Sequence, residues 1–198
     1  AGIGGEVELR AIFEPGFHRS AENHALALAA LNAASASRTV KPEGDLAAVL
    51  RLALRSDQAE LSEQALGLIG QWQVADLHDD VAALVDDNQS VGAIRLAAVR
   101  ALGLLGGDDA QRLAKLIDSG EATEELKLVA LDSLSRVDMS AAASRGAALL
   151  ALGQATTGVL SPFLNREGGG SALTAALAKR QPGAAPAAAA LAKLQSLG

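Results

Sequence analysis

The 198-residue chain has no cysteine and no tyrosine, and its aromatic side chains are one tryptophan and three phenylalanines. Without cysteine there is no disulfide, thiolate metal site, covalent haem attachment or cysteine nucleophile. Strand-favouring β-branched and aromatic residues are too sparse for a large sheet. Alanine and leucine dominate instead, and both are strong helix formers. Small side chains let helices approach closely, so the expected core is thin, extended and built from many modest contacts.

Long charge-free apolar runs are also missing. No window reaches the roughly eighteen residues of convincing hydrophobicity that a membrane helix needs, and the alanine-rich tail from Ala184 to Leu197 is too short and too weakly apolar. Basic residues are outnumbered, 17 against 23 acidic, for a formal charge of -6. A nucleic-acid binder clusters lysine and arginine to neutralise phosphates, and no such run exists. Arg95, Arg100, Arg112, Lys115 and Lys127 are interleaved with Asp108, Asp109, Glu124, Glu125 and Asp132, as on a solvated face.

What is present is a repeat. Arg95 to Gly106 (RLAAVRALGLLG) has apolar residues at three- and four-residue intervals, with alanine and glycine between them. It meets Ala59 to Gly70 (AELSEQALGLIG) 36 residues upstream and Lys127 to Asp138 (KLVALDSLSRVD) 32 downstream. Leu66, Leu102 and Leu134 are equivalent, as are Ile69, Leu105 and Val137. Each copy has a shorter helical partner before it: Asp45 to Ser56, Asp76 to Asp87, and Asp109 to Asp118. A helical hairpin repeated every thirty or so residues is the signature of an α-solenoid, whose neighbours bury what one hairpin cannot.

Local signals extend this reading. Glu14-Pro15-Gly16 marks a turn, and Ser20 caps a helix from Ala21 to about Ala34 with a stripe of Leu26, Ala29, Ala30 and Ala33. Asp45 is an N-cap, and Gly106-Gly107 ends a helix before Asp108 and Asp109 start the next. Further on, Ser140 to Leu152 and Val159 to Asn165 read as helices, the latter with Pro162 near its first turn. Glycines 168 to 170 read as a flexible joint, Ser171 as the cap of a helix to Arg180, and Pro186 as the N1 residue of a last helix to Leu197.

Candidates for chemistry dissolve on inspection. No two of His18, His24 and His78 have the spacing that shares a helical face, and His78-Asp79-Asp80 splays in three directions. Asp86 to Ser90 lacks the glycine and the distal glutamate of an EF-hand loop. The glycine triplet has no following lysine and hydroxyl pair, and no GxSxG elbow exists. The carboxylates fall in first turns and joints, where water keeps them ionised. No catalytic, cofactor-binding or metal-ligating residue is assigned. Trp72 reads as either a partner-facing anchor or a plug between hairpins, and Phe13, Phe17 and Phe163 read as end plugs.

Val99 to Gly106 and Gln64 to Gly70 resemble the second helix of HEAT and PBS lyase HEAT-like repeats, an alanine-rich run ending in A-L-G-x-L/I-G. The third copy departs from it, with Ser133, Ser135 and Arg136 where Ala101, Gly103 and Leu104 stand. The whole chain, and Leu160 to Gly198 above all, resembles the helical repeat region of large planctomycete-type multidomain proteins. Those often carry a dehydrogenase-like propeller before the repeats and a c-type cytochrome domain after them. That resemblance implies an exported or cell-envelope setting. The phycobilin lyases are another HEAT-like family, but nothing here marks a bilin pocket or a catalytic acid.

The expected fold is therefore all-α, an α–α superhelix of the HEAT/armadillo-like solenoid kind with four to five hairpins. It forms one domain over 1–198, with the clearest repeats in 45–138 and atypical capping regions at 1–44 and 139–198. The chain starts at Ala1 and both ends read as seams, which leads to the expectation of a piece of a larger polypeptide. The expected function is a non-catalytic scaffold that holds a protein or a neighbouring domain, without a cofactor. Gln64, Arg100 and Asp132, with Arg95 and Lys127 one turn earlier, are the partner-facing candidates, together with Trp72. Two alternatives make different demands. A lyase-like accessory domain needs a deep pocket with a perturbed carboxylate or histidine, and a HEAT-type nucleic-acid binder needs a connected positive groove.

Overall fold

Apolar spacing of three and four residues folds as helix throughout the computed structural model, which describes residues 28–33, 35, 41, 44–154, 156–180 and 183–195. Every regular element among the described residues is helical, and no strand occurs there. None of these helices is long and apolar enough to cross a membrane. The chain divides into two compact units, Ala1–Leu105 and Gly106–Gly198. The division falls at Gly106-Gly107, whose φ angles of 72° and 106° end the preceding helix.

The first unit contains a helical stretch at 28–33, then α1 (Leu46–Leu54), α2 (Ala59–Trp72), a 3-10 turn at Ala75–Leu77, α3 (His78–Asp86) and α4 (Gly92–Leu105). Asp45 caps α1 as expected, its carboxylate accepting from the Ala48 amide at 2.9 Å. α2 packs on both α1 and α4, and α3 packs on α4. Leu50, Leu66, Leu68, Ile69, Val81 and Leu102 are fully buried between them. Arg51 ties α1 to the α3 region, donating to Asp80 at 3.1 Å and to the Asp76 carbonyl at 3.0 Å.

Two expectations are corrected here. The second hairpin's first helix opens as a 3-10 turn, not as α-helix from Asp76. In the 28–33 helix the buried residues are Leu28 and Leu31, while Ala30 and Ala33 are exposed. The helix is rotated so that the larger apolar side chains are inside, because burial scales with area. Leu26, Phe13, Phe17, His18, His24 and the Ser20 cap lie outside the described residues.

The second unit contains α5 (Ala110–Asp118), α6 (Glu124–Val137), α7 (Met139–Ala151), α8 (Thr157–Leu164), α9 (Gly169–Arg180) and α10 (Ala184–Gln195). Thr123, Asp138 and Thr156 cap α6, α7 and α8 through side-chain oxygens. Asp109 is the N-cap residue of α5, its carbonyl accepting from the Leu113 amide at 3.0 Å, while its buried carboxylate pairs with Arg112. α7 is the hub, packing against α5, α6, α8, α9 and α10.

Phe163 plugs this unit, 1% exposed. A Cβ at Gly146 would lie 2.7 Å from its ring, and one at Gly169 would lie on its backbone carbonyl. That close approach explains why the glycine run is not a joint: Gly169 and Gly170 are the first residues of α9, and Ser171 sits inside the helix, not at its cap. Pro162 lies in the second turn of α8, not the first, and Pro186 is the third residue of α10, not its N1. Position three still lacks an intrahelical amide partner, so proline is tolerated there.

Candidate functional site

The six partner-facing candidates fare differently. Gln64 is half-buried: Asn32 donates to its carbonyl at 2.7 Å and to its Oε1 at 2.8 Å. Asn32 in turn accepts from Gln71 at 3.2 Å, and a Cβ at Gly67 would lie 2.6 Å from its Oδ1. The polar groups of this part of α2 therefore hold the 28–33 helix in place. Trp72 is the last residue of α2 and is 5% exposed, with its indole N–H donating to Ser35 at 2.7 Å.

Arg95 is half-buried and donates to the Val85 carbonyl at 2.9 Å, closing the turn between α3 and α4. Arg100 is exposed on α4, and Lys127 is half-buried on α6. Asp132 accepts from Arg166, just past the end of α8, at 2.8 Å and lies 3.5 Å from Arg136. Of the expected row of Gln64, Arg100 and Asp132, Arg100 is exposed and the other two are half-buried. A row running across the two units is not a relationship either unit contains by itself.

One concavity has no counterpart in the sequence reading. A groove of about 540 Å³ lies between α7 and α9 within the second unit. Ser140 and Ser144 form one wall, Ala172, Ala175 and Ala176 the other, and Lys179 and Arg180 stand along the α9 side at its C-terminal end. The two contributing stretches are more than twenty residues apart, so no local motif announces the groove. One signal was available: residues 139–198 carry Arg145, Arg166, Lys179, Arg180 and Lys193 against the single acidic Glu167, while the rest of the chain is strongly acidic. A smaller hollow of about 280 Å³ in the first unit is lined by Lys41, Asp45, Gln73 and Asp76, among others, and Lys41 donates there to the Trp72 carbonyl at 3.0 Å.

The loop of acidic residues after α3 is an Asx turn. Asp87 accepts from the Gln89 amide and the Ser90 hydroxyl, both at 2.9 Å. Those two hydrogen bonds, the backbone one first, hold its carboxyl below the ordinary aspartate range. Among the described residues, no group of three or more His, Cys, Asp and Glu side chains could hold a metal ion. Compared with known proteins, the chain matches no family model, no curated protein and no solved structure.

Proposed function

We propose that this chain is a non-catalytic interaction module, a HEAT-like α-solenoid whose surface holds a partner protein or a neighbouring domain. The observation that carries this reading is the character of the groove between α7 and α9. It is open and walled by alanine and serine, and among the described residues neither a histidine nor a carboxylate lines it. A surface of that kind recognises shape and charge and brings no histidine or carboxylate to act as a general acid or base.

The solenoid part of the reading is supported by packing within the first unit. α2 and α4, the equivalent helices of successive repeats, pack directly on each other, as stacked hairpins do. Other polar groups in the units, such as Gln64, Arg95 and Asp132, are engaged in holding helices together.

Lysine-directed cross-linking in the cells that produce the protein, followed by mass spectrometry, tests this function. Lys127 and Lys179 are expected to link reproducibly to one other polypeptide or to a neighbouring domain. Links confined to this chain's own lysines would overturn the reading.

A further inference from the structure

We propose that the groove between α7 and α9 docks an acidic, small-residue segment of the partner protein. Its carboxylates meet Lys179 and Arg180, and its main chain lies on Ala175 and Ala176 beside the Ser140 and Ser144 hydroxyls. This inference rests on the interaction function proposed above and names the chemistry of the partner.

Charge complementarity selects this occupant. The chain as a whole is acidic, at -6, yet its last sixty residues hold five cations and one acid. Two of those cations are already paired within the unit, Arg145 with Asp118 at 2.7 Å and Arg166 with Asp132 at 2.8 Å. Lys179 and Arg180 instead are exposed and line the groove, where no acidic side chain joins them among the described residues. Cations in the last turn of a helix also complement its dipole, but that role requires no groove beside them.

The rest of the lining sets the shape of the ligand. Ala172, Ala175 and Ala176 leave room for a backbone to lie close to α9, where larger side chains would hold it off. The serine hydroxyls of α7 both donate and accept, which suits the amide and carbonyl groups of an extended chain. Two cations at one end suit a few carboxylates. A nucleic acid would present a continuous row of phosphates for which this short groove has no matching track of cations.

Fluorescence anisotropy on the full chain tests the proposal, using a labelled peptide of glutamate, serine and glycine and its lysine-for-glutamate twin. The acidic peptide is expected to bind, to weaken as salt rises, and to be preferred over the basic one. Lys179→Gln with Arg180→Gln is expected to weaken it roughly tenfold, as two partly exposed ion pairs are removed. Ala175→Trp fills the groove without altering charge and should weaken it comparably. Lys179→Glu with Arg180→Glu should reverse the preference toward the basic peptide.

Equal binding of the two peptides, or unchanged affinity in the glutamine double variant or in Ala175→Trp, would overturn the proposal. So would competition by a short single-stranded oligonucleotide as effective as that of the acidic peptide, since it would mark a site for anions in general. If the cross-linked partner persists in Ala175→Trp, the groove assignment fails and the interaction function stands. Absence of any partner removes the interaction function itself.

Discussion

Gly70 of α2 meets Ala101 of α4 so closely that a Cβ on the glycine would lie 3.0 Å from the Ala101 Cα. Both residues belong to the repeated A-L-G-x-L/I-G run, Gly70 closing one copy and Ala101 opening the next. The motif is thus a packing device: small residues at fixed positions bring equivalent helices together. Gly70→Val should destabilise the first unit by about 1–3 kcal/mol, the cost of overpacking a filled seam. Gly92→Ala, where nothing lies within 4 Å, should be neutral or stabilising. Urea denaturation of the two variants checks the contrast.

Leu102 is fully buried in α4, which touches both α2 and α3. Leu102→Asp places a charge without a partner in that seam, a change expected to exceed the stability of the unit. Hydrogen exchange should show α2, α3 and α4 losing protection together. Loss confined to α4 would show that the helices do not share one cooperative core.

Trp72 is the only tryptophan, so intrinsic fluorescence reports on it alone. Buried against Ser35, it should emit as an indole shielded from water and shift to the red on unfolding. Ser35→Ala removes the oxygen that accepts from the indole N–H and should cost about 1 kcal/mol. Addition of a partner should leave the emission of the folded chain unchanged, because the ring faces inward. A spectral shift on binding would instead make Trp72 part of the contact.

The turn after α3 should be acid-sensitive. The folded-state pKa of Asp87 is depressed, so its hydrogen bonds contribute fully above the ordinary aspartate range. That contribution is lost as pH falls through the lowered folded value. Carbon-detected NMR of the Asp87 carboxyl should give a midpoint below that of a free aspartate. Asp87→Asn should remove the acid dependence of the Gln89 and Ser90 amide shifts.

Much of this fold was legible in the sequence because it depends on local chemistry. Asp45 precedes an apolar-periodic run and caps it, and Leu66, Leu102 and Leu134 share a register and are all buried. The readings that missed depend on distant neighbours. Gly169 looks like part of a joint until the backbone of Phe163 in α8 requires a residue without a Cβ there. Gln64 looks solvent-facing until Asn32 covers it. The groove is illegible for the same reason: Ser144 on α7 and Lys179 on α9 have the whole of α8 between them in sequence, and only the packing of α9 on α7 puts them along one channel.

Native mass spectrometry of the protein isolated from the cells that produce it tests the central claim most directly. A scaffold should appear as a complex of fixed stoichiometry with another polypeptide, or as part of a longer chain whose further domain it holds. The chain by itself, carrying a small molecule at one-to-one ratio that it converts on incubation, would contradict the account and favour an accessory enzyme.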